Sequence, residues 1–243
     1  MHSFFIAPGM HAGESGILDA EESAHAAKVL RLEPGEQVRL IDGEGVAFLG
    51  TLGEVKSSAT AFTLDSELPN RESPVRVTLY QGYPKADKLE LIAQKLTELG
   101  AARLVPVEMR FSVAKAKPGK DTRLVRIARE AVKQCGRSAC LRVESAMSFK
   151  QALADMRERE LMLMPWEAAD GKTLVQALGE HPRARDIGIL IGPEGGISPE
   201  EAELACGAGA VAVTLGERIL RTETAAITSA AVAISVLEGS ISG

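Results

Sequence analysis

Cysteine, histidine and long apolar runs are scarce in this chain, and each scarcity excludes something. Three cysteines (Cys135, Cys140, Cys206) with no C-x-x-C pair supply neither a disulfide framework nor a thiolate metal site. Such usage suits a reducing cytoplasm. Four histidines (His2, His11, His25, His181) lack zinc-ligand spacing, so no metal is expected. The most apolar stretch, residues 225–237, is 13 residues long and is interrupted by Thr228, Ser229 and Ser235. It falls short of the ~18 residues that suggest a membrane span. The opening MHSFFIAPG has no basic segment before its short apolar run and does not read as a signal peptide. What is present is 243 residues at 45% apolar and 25% charged, enough for one large globular domain or two modest ones.

The net charge of −5 argues against a polyanionic partner, but its distribution argues the other way. Residues 1–72 carry 5 basic and 12 acidic groups, and residues 143–243 carry 8 and 15. Between them, residues 110–142 carry 10 basic groups and 2 acidic ones: Arg110, Lys115, Lys117, Lys120, Arg123, Arg126, Arg129, Lys133, Arg137 and Arg142. A cluster of this kind is the footprint expected for nucleic-acid phosphates. A solvated helix face with a basic loop would look the same. Only nine aromatic residues (6 Phe, 2 Tyr, 1 Trp) are available, so base-stacking platforms are not expected to dominate a nucleic-acid surface.

Residues 4–6, 37–41, 46–55 and 60–68 alternate as strands do, with one short helix over 21–32 closed by Pro34-Gly35. This predicts a small, mostly β domain over residues 1–72, and the Pro-bracketed polar segment 69–74 is the best linker. From residue 73 to 243 the rhythm changes. Strands at 75–81, 103–107, 161–165, 187–191 and 210–215 alternate with helices at 85–99, 121–135, 173–178, 199–206 and 222–237. Short, continuously apolar strands of this kind are buried on both faces of a parallel sheet, whose ligands bind at the strand carboxyl ends.

Two phosphate-loop candidates fail. Gly171-Lys172-Thr173 lacks the leading glycine, since Trp166 stands there, and the glycine-rich 207–212 follows a helix and enters a strand. The loop Gly192-Pro193-Glu194-Gly195-Gly196, between Ile191 and a helix, is more informative. Ser198, Pro199 and Glu201 form a helix start with a capping box, and three glycines around Pro193 permit close backbone approach to a ligand. After the next strand comes Leu215-Gly216-Glu217-Arg218-Ile219-Leu220-Arg221-Thr222-Glu223, with Thr222 as candidate N-cap. Two such loops at neighbouring strand ends make one pocket.

GPEGG with SPEE, then LGxRILRTETA, resembles the SPOUT class of RNA methyltransferases, and within it the RsmE family. HAAKVLRL with PGE (residues 25–36), KxxKLELIAQKLTELGA (85–101) and REAVKQCGR (129–137) extend the likeness along nearly the whole chain. The resemblance implies an α/β fold: a PUA-like β-barrel domain followed by a SPOUT methyltransferase domain with a C-terminal trefoil knot. It implies S-adenosylmethionine as cofactor, held by Leu163, Met164 and Pro165, by Ile191 and the 192–196 loop, and by Leu215, Gly216, Arg218, Ile219, Leu220, Arg221 and Thr222. Met164 reads equally well as core packing. The implied reaction is methylation of N3 of a uridine in 16S rRNA of the 30S subunit, by a homodimer.

Uridine N3 must lose a proton before it attacks. Arg221 is the candidate to stabilise the resulting anion, with Glu223 or Glu194 as proton acceptor. Glu223 also fits a structural role in the first turn of a helix. Lys85, Arg123, Arg126, Lys133, Gln134 and Arg137 are then expected to meet RNA; the acidic first domain either joins them through a small patch at Lys28 and Arg31 or serves mostly as a structural partner. A methyltransferase of this class with another RNA target, and a non-catalytic ribosome-assembly factor, are the competing expectations.

Overall fold

The alternation over residues 37–67 becomes an antiparallel meander of β3 (Gln37–Ile41), β4 (Ala47–Lys56) and β5 (Ala59–Glu67). β1 (Ser3–Phe5) adds in parallel to β3, and β2 (Ser15–Ile17), too short to stand out in the sequence, pairs antiparallel with β5. The resulting sheet runs β1-β3-β4-β5-β2. Its core gathers Phe4, Val38, Leu40, Phe48, Leu52, Phe62 and Leu64. α1 (Ala20–Ala24) starts at Asp19, whose side chain accepts the Glu22 N–H at 2.8 Å, and continues as one π-helical segment, His25–Leu30. Arg31 closes that segment at φ +54°, the only non-glycine residue with positive φ among the described residues.

The computed structural model describes residues 1–85, 87–114 and 120–241 and divides into two units. The first comprises Met1–Glu72 and also Glu130–Cys140; the second comprises Ser73–Arg129 and Leu141–Gly243. Helix α3 (Lys120–Cys135) therefore gives its last residues to the first unit. There Val132 packs with Phe5, Ile41 and Ala47. Two ion pairs fasten the segment, Lys133 to Glu22 and Arg137 to Glu72, each at 2.7 Å. Glu72 also accepts the backbone N–H groups of Ser138 (2.7 Å) and Ala139 (3.0 Å). Burial opposes its ionisation, yet Arg137 and these two N–H groups outweigh that cost and hold its pKa below the ordinary carboxylate value.

The second unit is a seven-stranded sheet whose pairings are all parallel. It contains β6 (Arg76–Gly82), β7 (Arg103–Glu108), β8 (Arg142–Val143), β9 (Met147–Ser148), β10 (Leu161–Pro165), β11 (Asp186–Ile191) and β12 (Val211–Val213). The order is β12-β10-β11-β6-β7-β8, with β9 also on β7. Strand residues alternate between two cores, as period two requires. Leu161 and Leu163 of β10 enter one core, Met162 and Met164 the other. The first core is covered by α2 (Lys88–Leu99), α5 (Leu174–Gly179) and α7 (Thr222–Gly239). The second is covered by α4 (Phe149–Met156) and α6 (Pro199–Gly207). Helix α4 was not anticipated from the sequence, although Ser148 and Gln151 form a full capping box. No helix among the described residues is long and apolar enough to cross a membrane.

Candidate active site

β12, β10 and β11 are sheet neighbours, so the segments that leave their carboxyl ends converge. They enclose one cleft in two lobes. The larger, about 490 Å³, lies between residues 191–197 and 219–222, with Lys88, Pro165, Glu167 and Ala225 completing it. The narrower lobe runs along Trp166 and residues 214–220. Pro165, Glu167, Ile219, Leu220 and Ala225 belong to both. A cleft of this size suits a nucleoside-sized ligand.

The expected site residues Pro165, Ile191, Gly192, Pro193, Glu194, Gly195, Gly196, Leu215, Gly216, Arg218, Ile219, Leu220, Arg221 and Thr222 all line this cleft. Leu163 and Met164 do not: their side chains are fully buried in the two opposite cores. Pro165, buried at the last position of the same strand, is the one that borders the cleft.

Backbone packing explains the glycines. A Cβ on Gly82, at the end of β6, would stand 2.5 Å from Pro193 N and Cδ, so the 192–196 loop can lie on that strand end only because position 82 has no side chain. Gly196 has φ +76° and borders the Glu167 carboxylate, where a Cβ would come within 2.5 Å of Oε1. Beneath the loop, the Gln81 amide donates to Thr222 Oγ1 at 2.8 Å, and the Thr222 hydroxyl donates to Gly192 O at 2.6 Å. This corrects the capping expectation. Thr222 is the first residue of α7, Arg221 is its N-cap without a side-chain bond, and the threonine hydroxyl serves the loop instead. The Ser198–Glu201 capping box is present as expected.

Lys88 is the electrostatic centre. Its ammonium lies 3.2 Å from Glu194 and 3.1 Å from Glu223, tying α2, the 192–196 loop and the first turn of α7 together. Partial burial works against each charge, but the pairing prevails. The Lys88 pKa is raised, and both carboxylates are lowered with help from backbone N–H groups. Carboxylates held ionised in this way are weaker proton acceptors than ordinary ones. Glu223 faces Lys88 and does not line the cleft. Arg218 and Arg221 are exposed and form no salt bridge among the described residues.

The residues expected to meet RNA divide by availability. Lys28, Arg31, Lys85, Arg126 and Gln134 are exposed. Arg123 is exposed but pairs with Glu90 at 2.7 Å, and Lys133 and Arg137 are largely buried in the pairs already described. Lys115 and Lys117 lie outside the described residues. Sequence reading missed Gln81, Trp166, Glu167 and Thr214 at the site. Trp166 and Glu167 directly follow a predicted strand and could have been found by that position alone. Gln81, a buried polar residue inside a strand, carries no local signal. No group of three or more metal-ligating side chains occurs among the described residues.

A family model of an RNA methyltransferase domain matches residues 71–234, and one of an RNA methyltransferase PUA domain matches residues 18–61. The chain is 34% identical over 218 residues to ribosomal RNA small subunit methyltransferase E of Bacillus subtilis, across 86% of this chain and 85% of the relative. The protein of that name from Mycobacterium tuberculosis is 33% identical over 236 residues, across 92% and 87%. Among solved structures, a ribosomal RNA small subunit methyltransferase E from Neisseria gonorrhoeae bound to S-adenosylmethionine superimposes with TM-score 0.85 at 29% identity, over 95% of each chain. A methyltransferase from Legionella pneumophila in complex with S-adenosylmethionine gives 0.84 at 31% identity, over 98% of this chain and 97% of that one.

Proposed function

The chain belongs to the ribosomal RNA small subunit methyltransferase E family, and from that premise we propose that it methylates N3 of a specific uridine in 16S rRNA of the 30S subunit. S-Adenosylmethionine is the methyl donor. The observation that carries the reading is the strand-end cleft, in which two glycine-rich or arginine-bearing loops face each other across Pro165 and Glu167.

The lining suits a cationic, amphipathic donor. Pro165, Ile219 and Leu220 offer apolar surface to an adenine, Ile219 being 90% exposed with nothing of its own to cover it. Backbone groups of 192–196 and 214–220 offer hydrogen bonds. Glu167 suits the positive groups of the cofactor, and Arg218 suits its carboxylate. When bound, it supplies an activated methyl group, so the chain has mainly to position the nucleophile and govern its proton.

Uridine N3 is a weak nucleophile until its proton leaves, and the negative charge then spreads over the flanking carbonyls. Arg221, exposed at the cleft at the N-cap of α7, stabilises that charge. Glu223 acts at one remove, by holding Lys88 and through it the 192–196 loop. The proton leaves to water. The first unit and the exposed cations Lys28, Arg31, Lys85 and Arg126 hold the rRNA, the chain works in the cytoplasm as a homodimer, and the C-terminal part is knotted.

The test is incubation with methyl-labelled S-adenosylmethionine and unmethylated 30S subunits, free 16S rRNA, 50S subunits and transfer RNA, followed by mapping of the product. Labelled 3-methyluridine in 16S rRNA is expected. Label in another RNA, or on another atom, would overturn the assignment.

A further inference from the structure

All nine aromatic side chains lie among the described residues, and Phe111 is the one that stands exposed, at 40%. Its position is specific. Phe111 packs on Gly195, where an added Cβ would come within 2.7 Å of the Phe111 Cβ, so the ring is seated directly on the loop that walls the cleft. Together with Lys85, Arg110, Val113, Glu194 and Gly195 it lines a shallow depression, and Glu194 and Gly195 line the main cleft as well. The two hollows share one wall.

The backbone beneath the ring is hydrogen-bonded. The turn that carries it is closed by the Ser112 N–H to Met109 O at 3.0 Å, and by the Met109 N–H to the Ser112 hydroxyl at 3.2 Å. The Arg110 N–H donates to Glu201 at 2.8 Å, and the Arg110 guanidinium pairs with Glu200 at 2.8 Å while lying 5.9 Å from the Phe111 ring centre. Val113 beside it is 70% exposed. A solvent-facing aromatic and aliphatic pair on a hydrogen-bonded turn, flanked by cations, suits an unstacked nucleobase with its phosphate.

The geometry points to Phe111 as the platform on which an unstacked base flanking the target uridine stacks, with Lys85 and Arg110 receiving the adjoining phosphates. This deepens the reading above and rests on it. A nucleic acid suits the patch better than a second copy of the chain. Lys85 stands exposed beside the ring, and the Glu200 carboxylate paired with Arg110 is itself 65% exposed, so both cations stay open to a phosphate.

The test combines Phe111→Ala and Phe111→Tyr with separate readouts for the two ligands. Phe111→Ala is expected to raise KM for 30S subunits about ten-fold or more, and Phe111→Tyr to restore it to within about three-fold. Binding of S-adenosylmethionine should stay within about two-fold of wild type in both, since the ring lies outside the main cleft. A KM for 30S in Phe111→Ala within two-fold of wild type would overturn the proposal. So would a fall in solution mass in that variant, which would give the ring to a second copy. A short RNA carrying 5-iodouridine, irradiated with the wild-type protein, reads the platform without turnover. Cross-linking at Phe111 supports it, and cross-linking only elsewhere refutes it. If the wild type methylates no RNA, the proposed function fails while the cross-link still decides the platform.

Discussion

Two cation-bearing regions of this chain behave in opposite ways. The segment 110–142 is the most basic in the sequence, yet Arg123, Lys133, Arg137 and Arg142 are each 2.7 Å from a largely buried carboxylate of the same chain. Lys133 and Arg137 are so deeply placed that they fasten the first unit together. Arg218 and Arg221, in a part of the sequence that is acidic overall, stand open at the cleft. Formal charge counts cations; it does not tell which are available. Burial and pairing decide that, because a cation already matched by a desolvated carboxylate has little to offer a phosphate.

The largest effect expected from this contrast lies in the fastened pairs. Glu72→Ala removes the carboxylate shared by Arg137 and two backbone N–H groups and is expected to cost about 3 kcal/mol or more in denaturant unfolding. Because the folded pKa of Glu72 is lowered, its contribution is complete above the ordinary carboxylate pKa and is lost as pH falls through the folded value. The wild type should therefore weaken in acid, from about pH 5 downward, and Glu72→Gln should show a flatter profile. Equal profiles would mean that the pair does not hold the unit.

Next comes the open arginine. Arg221→Ala should lower methyl transfer about 100-fold or more while unfolding near the wild-type denaturant concentration, since its side chain is exposed and makes no cap bond. Wild-type turnover in that variant removes its role. Thr222→Val, one residue on, takes the hydroxyl from Gly192 O and leaves the Gln81 amide without one acceptor. About 1–3 kcal/mol of stability should be lost, together with affinity for S-adenosylmethionine measured by calorimetry. The smallest effect belongs to Arg126, exposed on α3 with no salt bridge among the described residues. Arg126→Ala should weaken RNA binding by a few fold and reduce the salt dependence of log K by about one. Lys133→Ala should reduce it less, because that ammonium is already neutralised by Glu22.

The parallel sheet was legible because its strands are continuous apolar runs, and β10 and β11 fall within one residue of the expected spans. The two cleft loops were legible because glycine, proline and capping residues cluster at strand ends. What escaped was non-local. β8 and β9 are two residues each and acquire their pairing only from β7. The attachment of Glu130–Cys140 to the first unit depends on carboxylates at positions 22 and 72, more than fifty residues away. Thr222 looked like an N-cap because threonine before a helix usually is one. Its hydroxyl was instead claimed by a carbonyl thirty residues earlier, which no local pattern records.

Backbone hydrogen exchange with and without saturating S-adenosylmethionine tests the cleft assignment most directly. Protection is expected in residues 192–197 and 214–222, with the segment 130–140 unchanged. Protection confined to other segments, or none at saturating cofactor, would contradict the placement of the donor at these strand ends.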